Sequence, residues 1–107
     1  MHAISLVLAT FGSEDESAKV GRIVVEEKLA ACANIVPCIR SIYRWKGEIH
    51  DEQESLVLFK TRTSLFPALR NRIRELHSYE VPEIIAMSIS QGLEEYLDWV
   101  VEETEER

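Results

Sequence analysis

Three kinds of side chain in this 107-residue chain could do chemistry: thiols, imidazoles, and a few charged groups set beside aromatic rings. Cys32 follows two alanines at a helix-to-strand junction. A thiolate there would bind a soft metal or act as a nucleophile, whereas a small buried thiol simply packs as an apolar residue. Cys38 follows Pro37, and in extended chain the two sulfurs diverge, so both thiols are expected to be reduced. His77 ends a helix, where an imidazolium suits the terminal carbonyls and an imidazole could ligate a metal. His50 sits among Glu48, Asp51, Glu52 and Glu54, a run that reads either as a weak collector of hard cations or as a solvated edge. His2, near a terminus, could chelate opportunistically.

Lys60 closes the apolar run "LVLF", and a core-facing ammonium there needs a partner. Glu83, which opens another strand after Pro82, is the candidate, either as an interface ion pair or as part of a clamp for an anionic ligand. Tyr43, Trp45 and Tyr79 could stack on a planar ligand, although aromatic rings are also enriched in subunit contacts. No Gly-rich phosphate loop, Cys-x-x-Cys pair, Ser-His-Asp constellation or His-Glu-x-x-His helix is present. The sequence offers no complete catalytic kit and reads as non-enzymatic.

Composition narrows the class. Twelve Lys and Arg against 19 Asp and Glu leave a net charge of −7, which repels polyphosphate and argues against nucleic-acid binding. The first residues carry no basic region followed by a long apolar one, and no later stretch has the length of a membrane span. The chain reads as one cytoplasmic domain without an internal linker.

The elements that must position these residues follow from periodicity. "AISLVLATF" reads as a buried strand ended by Gly12. Ser13 and Glu16 are spaced as a capping box for a helix whose stripe is Ala18, Gly21, Val24, Val25 and Leu29. Residues 32–46 and 48–61 read as a hairpin turning at Lys46 and Gly47. A second helix from about Leu65 to His77 tolerates Pro67 in its first turn and turns Phe66, Leu69, Ile73 and Leu76 inward. "EIIAMSI" reads as a core strand. A closing helix places Leu93, Tyr96, Leu97 and Val100 at helical spacing, and the tail "EETEER" reads as loose. This order is the split β-α-β, ferredoxin-like α+β pattern with one added helix, both main helices lying on one face of an antiparallel sheet.

The hairpin is too long for such a domain. Residues 32–46 would span roughly 45 to 50 Å at about 3.3 Å per residue, against a diameter of about 35 Å for a compact chain of this size. Either Pro37 bends or bulges the strand, or the tip projects and its aromatic face rests on another subunit. A closed ring, with each copy lending an arm to the next, satisfies the second condition.

The segments "AACANIVP" (30–37), "SIYRWKGEI" (41–49), "FKT" (59–61), "HSYEVPEI" (77–84) and "YLDWV" (96–100), in this order and spacing, closely resemble the CutA family of divalent-cation tolerance proteins. The resemblance runs from Ser5 to Val101. It implies a ferredoxin-like subunit in a homotrimer similar in architecture to the PII signalling proteins, associated with tolerance to divalent metal, copper foremost. It also implies an inter-subunit cleft lined at Cys32, Trp45, Lys60, Tyr79 and Glu83. A metal site proposed for some bacterial members uses a cysteine at the end of the first strand and two adjacent histidines before Pro-Tyr. The matching positions here are Ala9, Leu76 and His77, with Ser78 in place of the usual proline. His77 and Cys32 are therefore the expected metal ligands. The alternative implied by the same architecture is a sensor or adaptor that binds an anionic small molecule in the cleft through Lys60 and the aromatic rings.

Overall fold

The computed structural model describes residues 3–105, so His2 lies outside the described residues. The elements are β1 (Ile4–Phe11), α1 (Glu14–Glu26), β2 (Cys32–Trp45), β3 (Glu48–Arg62), a 3-10 turn (Thr63–Leu65), α2 (Phe66–Leu76), β4 (Ile84–Ile89) and α3 (Glu94–Glu102). The strands form one four-stranded antiparallel sheet in the order β2-β3-β1-β4. That is the ferredoxin-like arrangement expected from the element order.

Local chemistry sets the boundaries. Ser13 caps α1, its Oγ accepting the Glu16 N–H at 3.1 Å, as the capping-box spacing requires. The helix stops at Glu26, and Lys28 takes φ 62°, a left-handed turn that delivers Leu29 and Ala30 into the core. The inward stripe is Ser17, Val20, Gly21 and Val24, while the expected Ala18 faces solvent. A polar residue occupies the stripe because the Ser17 hydroxyl donates to Ser55 Oγ at 2.8 Å, which satisfies it inside the core. At Gly21 a Cβ would lie 3.1 Å from the Ala33 Cβ, so the bare glycine lets α1 press directly on β2.

The two main helices cover one face of the sheet. Val7, Ala9 and Phe11 of β1 and Val57 and Phe59 of β3 pack there against Val20 and Val24 of α1 and Leu69 and Ile73 of α2. The alternate residues point the other way, because side chains alternate along a strand. Leu6, Leu8, Leu56 and Leu58 lie on that face, where Leu6, Leu8 and Leu58 are half-covered, and Ile85 and Met87 remain 50% and 47% exposed. α3 shields one end of it, where Val100 packs on Ile4 and Ala31. β4 is thus an exposed edge strand and not the core strand its composition suggests. Leu93 and Tyr96 also depart from the expected inner stripe of α3 and face outward. The tail is tied down as far as Glu105: Arg62 donates to Thr104 Oγ1 and to the Val101 carbonyl, and the Glu105 N–H donates to the Lys28 carbonyl.

The hairpin turns at Lys46 (φ 50°) and Gly47 (φ 81°), the two left-handed residues of a tight turn that matches strand twist. β3 pairs with β1 only from Ser55 to Arg62, so residues 48–54 pair with β2 alone, as a two-stranded arm. The arm makes the molecule 44 Å long against 25 and 22 Å in the other directions. The strand is bulged as expected, where Pro37 and Cys38 together oppose Ser55 between the pairs Val36–Leu56 and Ile39–Glu54, and the arm projects as well.

Candidate functional site

The bulge decides what the arm presents. On β3 the face turned away from the helices carries Lys60, Leu58, Leu56, Glu54, Glu52 and His50 in strict alternation. Their β2 partners run Cys32, Asn34 and Val36, then step by one residue to Ile39, Ser41 and Tyr43. Were the same residues paired one to one, with Cys38 and not Ile39 opposite Glu54, then Arg40, Ile42 and Arg44 would stand where Ser41, Tyr43 and Trp45 stand. The bulge therefore sets the aromatic rings above the acidic row. Tyr43 stacks on His50 with ring centroids 5.1 Å apart and donates to Glu52 at 3.0 Å.

Beneath the arm, at the end of the sheet where β4 has not yet begun, lies a cavity of about 650 Å3. Trp45, Tyr79 and Glu83 all line it, with Tyr43, Glu52 and Glu54. Three of the five expected cleft residues are thus gathered in one chain. The arm reaches the 78–83 loop through Lys46, whose Nζ lies 3.7 Å from Glu80. Tyr79 donates to Glu54 Oε2 at 2.8 Å, and its phenol is pushed far above the ordinary tyrosine value, first by burial and then by that hydrogen bond. Tyr79 is a neutral donor throughout the physiological range.

Cys32 and Lys60 lie elsewhere, paired across β2 and β3 four strand positions along the sheet from the Val36–Leu56 pair. The Cys32 thiol donates to Asn34 Oδ1 at 3.2 Å, and the Lys60 ammonium donates to the same oxygen. Lys60 therefore finds its partner in Asn34. The expected partner, Glu83, stands beyond the Ala9–Ile84 pair at the far end of the sheet. Tyr96 completes the group: burial and then the neighbouring Cys32 raise its phenol above the ordinary value.

His77 is more engaged than a helix-terminal imidazole. Its ring lies flat on Phe11, centroids 4.5 Å apart. Nε2 is 2.6 Å from the Thr10 carbonyl, and Nδ1 accepts the Tyr79 N–H at 3.0 Å. A carbonyl can only accept and an N–H only donate, so the ring is the neutral tautomer with its proton on Nε2. Both nitrogens are in use. The Thr10 carbonyl is available because β4 ends its pairing with β1 at Ala9. Beside the ring, the Glu16 carboxylate accepts from Gly12 N, Ser78 N and Ser78 Oγ. A proline at position 78 could supply neither of the last two bonds.

Of the family-proposed ligand positions, Ala9 is fully buried in the core and Leu76 is half-buried against it. His77 and Cys32 occupy the separate surroundings just described. The acidic run does not converge either: Asp51 turns to the opposite face of the arm and forms a two-pronged bond with Arg40, while His50 Nδ1 lies 3.4 Å from Glu52. Among the described residues no three His, Cys, Asp or Glu side chains gather as a metal site.

Residues 5–103 match the family of the CutA1 divalent ion tolerance protein. The chain belongs to the CutA1 family. The divalent-cation tolerance protein CutA of Thermus thermophilus is 52% identical over 99 residues, which is 92% of this chain and 96% of that protein. The human protein CutA is 45% identical over 103 residues, 96% of this chain but 58% of its own length. Among solved structures, CutA1 of Oryza sativa superposes with a TM-score of 0.96 at 38% identity, covering 99% of this chain and 97% of that one. The divalent cation tolerance protein Cut A1 of Thermus thermophilus gives 0.92 at 50% identity, over 95% and 99% of the two chains. The ferredoxin-like α+β fold of the CutA1 family is therefore the fold of this chain.

Sequence reasoning singles out neither Asn34 nor Glu16 for these roles. Glu16 carries a signal, its place in the capping box, but its reach to Ser78 depends on α1 and α2 packing side by side. Asn34 carries none beyond lying two residues from Cys32, hence on the same strand face.

Proposed function

We propose that the chain acts as a single domain in a non-enzymatic homotrimer of PII-like architecture, which binds a divalent cation, copper foremost, at the seams between copies and so contributes to metal tolerance. The observation that carries this reading is the largely open apolar sheet face: Leu6, Leu8, Leu58, Ile85 and Met87 form a continuous surface that, among the described helices, α3 shields at one end only. A patch of that kind is the mark of an interface. The projecting arm, with Ile42 and Ile49 exposed on one side and Trp45 on the other, has the reach to lie on a neighbour.

A cation held by protein side chains then takes its ligands from more than one copy, since no described set of three exists in one. Cys32 can turn its thiol toward a soft metal by releasing Asn34. His77 can ligate only by giving up the bond to Thr10 or to Tyr79. Two free thiols accord with a cytoplasmic setting, although relatives in Arabidopsis and rice are named chloroplastic and one from Archaeoglobus fulgidus periplasmic. No described helix is long and apolar enough to cross a membrane.

Sedimentation equilibrium tests the assembly: the wild type runs as a trimer and Met87→Glu as a folded smaller species. A wild-type monomer at micromolar concentration refutes it. Calorimetric titration with Cu2+ and Zn2+ tests the metal role, Cys32→Ser weakening binding; equal or absent binding in both proteins removes it. A second reading, a sensor or adaptor binding an anionic small molecule, is favoured by Lys60 alone. The carboxylates around Trp45 and Tyr79 oppose an anion in that half of the cleft. A ligand screen by thermal shift supports this reading if a hit is lost in Lys60→Ala.

A further inference from the structure

The cavity under the arm contains a buried charge without a counter-charge. Glu54 is only 9% exposed, and among the described residues its carboxylate has one hydrogen bond, from the neutral Tyr79 hydroxyl to Oε2. No Lys, Arg or His among the described residues forms an ion pair with it. The cations nearby are matched to other acids, Arg40 on the cavity wall to Asp51 and Lys46 to Glu80, and the His50 ring lies beside Glu52. No buried oxygen lacks a partner among the described residues, so the other oxygen of Glu54 keeps access to solvent, and the cavity that Glu54 lines is where that access lies. A carboxylate this buried is normally paired with a cation.

The walls indicate what kind of cation. Tyr43, Trp45 and Tyr79 line the space, and aromatic faces attract positive charge, as the Lys46 Nζ 5.7 Å from the centre of the Trp45 ring illustrates. The volume, about 650 Å3, is that of an organic ligand site and far exceeds a bare metal ion. Glu52 and Glu83 stand at its rim as further acceptors. We propose that this cavity binds an organic ammonium ion, with Glu54 as its buried counter-charge and the Tyr43 and Trp45 rings against its carbon skeleton. Within one chain the site is separate from Cys32 and does not depend on a metal; in the trimeric reading above it is the Trp45 half of the cleft between copies.

The test is titration calorimetry on the assembled protein in chelator, at low ionic strength, with 1,4-diaminobutane and with 1,4-butanediol, which has nearly the same length and no charge. The diamine binds saturably at one per chain, and the diol does not. Glu54→Gln, which keeps an acceptor for Tyr79 and removes the charge, lowers diamine affinity by at least about tenfold. Trp45→Leu lowers it by about threefold or more, and Glu102→Gln, on α3, leaves it unchanged. Absent or non-saturable diamine binding overturns the proposal, as does equal binding of the diol. An equal loss in Glu102→Gln and Glu54→Gln means general attraction to an acidic protein, and overturns it too. If Glu54→Gln does not fold, the diol comparison and Trp45→Leu decide. Copper binding in a parallel titration is independent of every one of these outcomes.

Discussion

Replacing His77 by Phe separates a structural histidine from a metal ligand. Phenylalanine keeps a ring against Phe11, so the stacking contact survives. What disappears is a donor to the Thr10 carbonyl and an acceptor for the Tyr79 N–H. A buried backbone group stripped of its partner costs about 1 to 3 kcal/mol. Thr10 lies near the upper end, being buried, and Tyr79 near the lower, being half-exposed. The sum is about 4 kcal/mol, a large share of the 5 to about 15 kcal/mol typical of a domain. Urea unfolding at fixed protein concentration, followed by tryptophan fluorescence in chelator, should show the midpoint fall by about 1.3 to 4 M, for a slope of roughly 1 to 3 kcal/mol/M. A variant within about 0.5 kcal/mol of wild type in chelator would refute the assignment of both nitrogens. So would a loss that appears only when copper or zinc is added, because a ligand stabilises through its metal and a hydrogen-bonded ring does not.

Other expectations follow from the same contacts. Glu16→Ala removes the acceptor for Gly12 N, Ser78 N and Ser78 Oγ and should cost about 2 kcal/mol in chemical denaturation, with Glu16→Gln recovering about half. Lys46→Asn places a residue suited to left-handed backbone at φ 50° and should stabilise the turn by about 0.5 kcal/mol, since the exposed contact to Glu80 it gives up is worth little; slower amide exchange at residues 44–49 would show it. The hydrogen bond from Arg40 holds the Asp51 carboxyl below the usual aspartate value. A depressed pKa means stability present above the unfolded value and lost as pH falls through the folded one. NMR titration should therefore place the Asp51 midpoint below that of free aspartate, and Arg40→Gln should return it.

How much is legible in the sequence depends on the range of the interaction. The capping box at Ser13 and Glu16, the turn at Lys46 and Gly47 and the apolar spacing of Leu69 and Ile73 are local, and all stand where spacing puts them. The α1 stripe keeps Gly21 and Val24 of the expected set and adds Ser17 and Val20 in place of Ala18, because Ser17 reads as surface until Ser55 is seen across from it. Of the five cleft residues, Trp45, Tyr79 and Glu83 converge while Cys32 and Lys60 stand apart. The split follows from strand register, which composition does not encode. The tail reads as loose because its charges suggest solvent, yet Thr104 is held by Arg62, 42 positions away.

The single extra residue opposite Ser55 makes the arm unequally tolerant of changes in length. Adding residues at the Lys46–Gly47 apex would lengthen a loop that touches little. Deleting Cys38 would instead leave Pro37 alone opposite Ser55, removing the bulge and its bend while the Ile39–Glu54 pair and every pair beyond it kept Tyr43 and Trp45 over the acidic row. A graft or tag belongs at the apex, and a one-codon loss at the bulge would change the direction of the arm and not the faces of its residues.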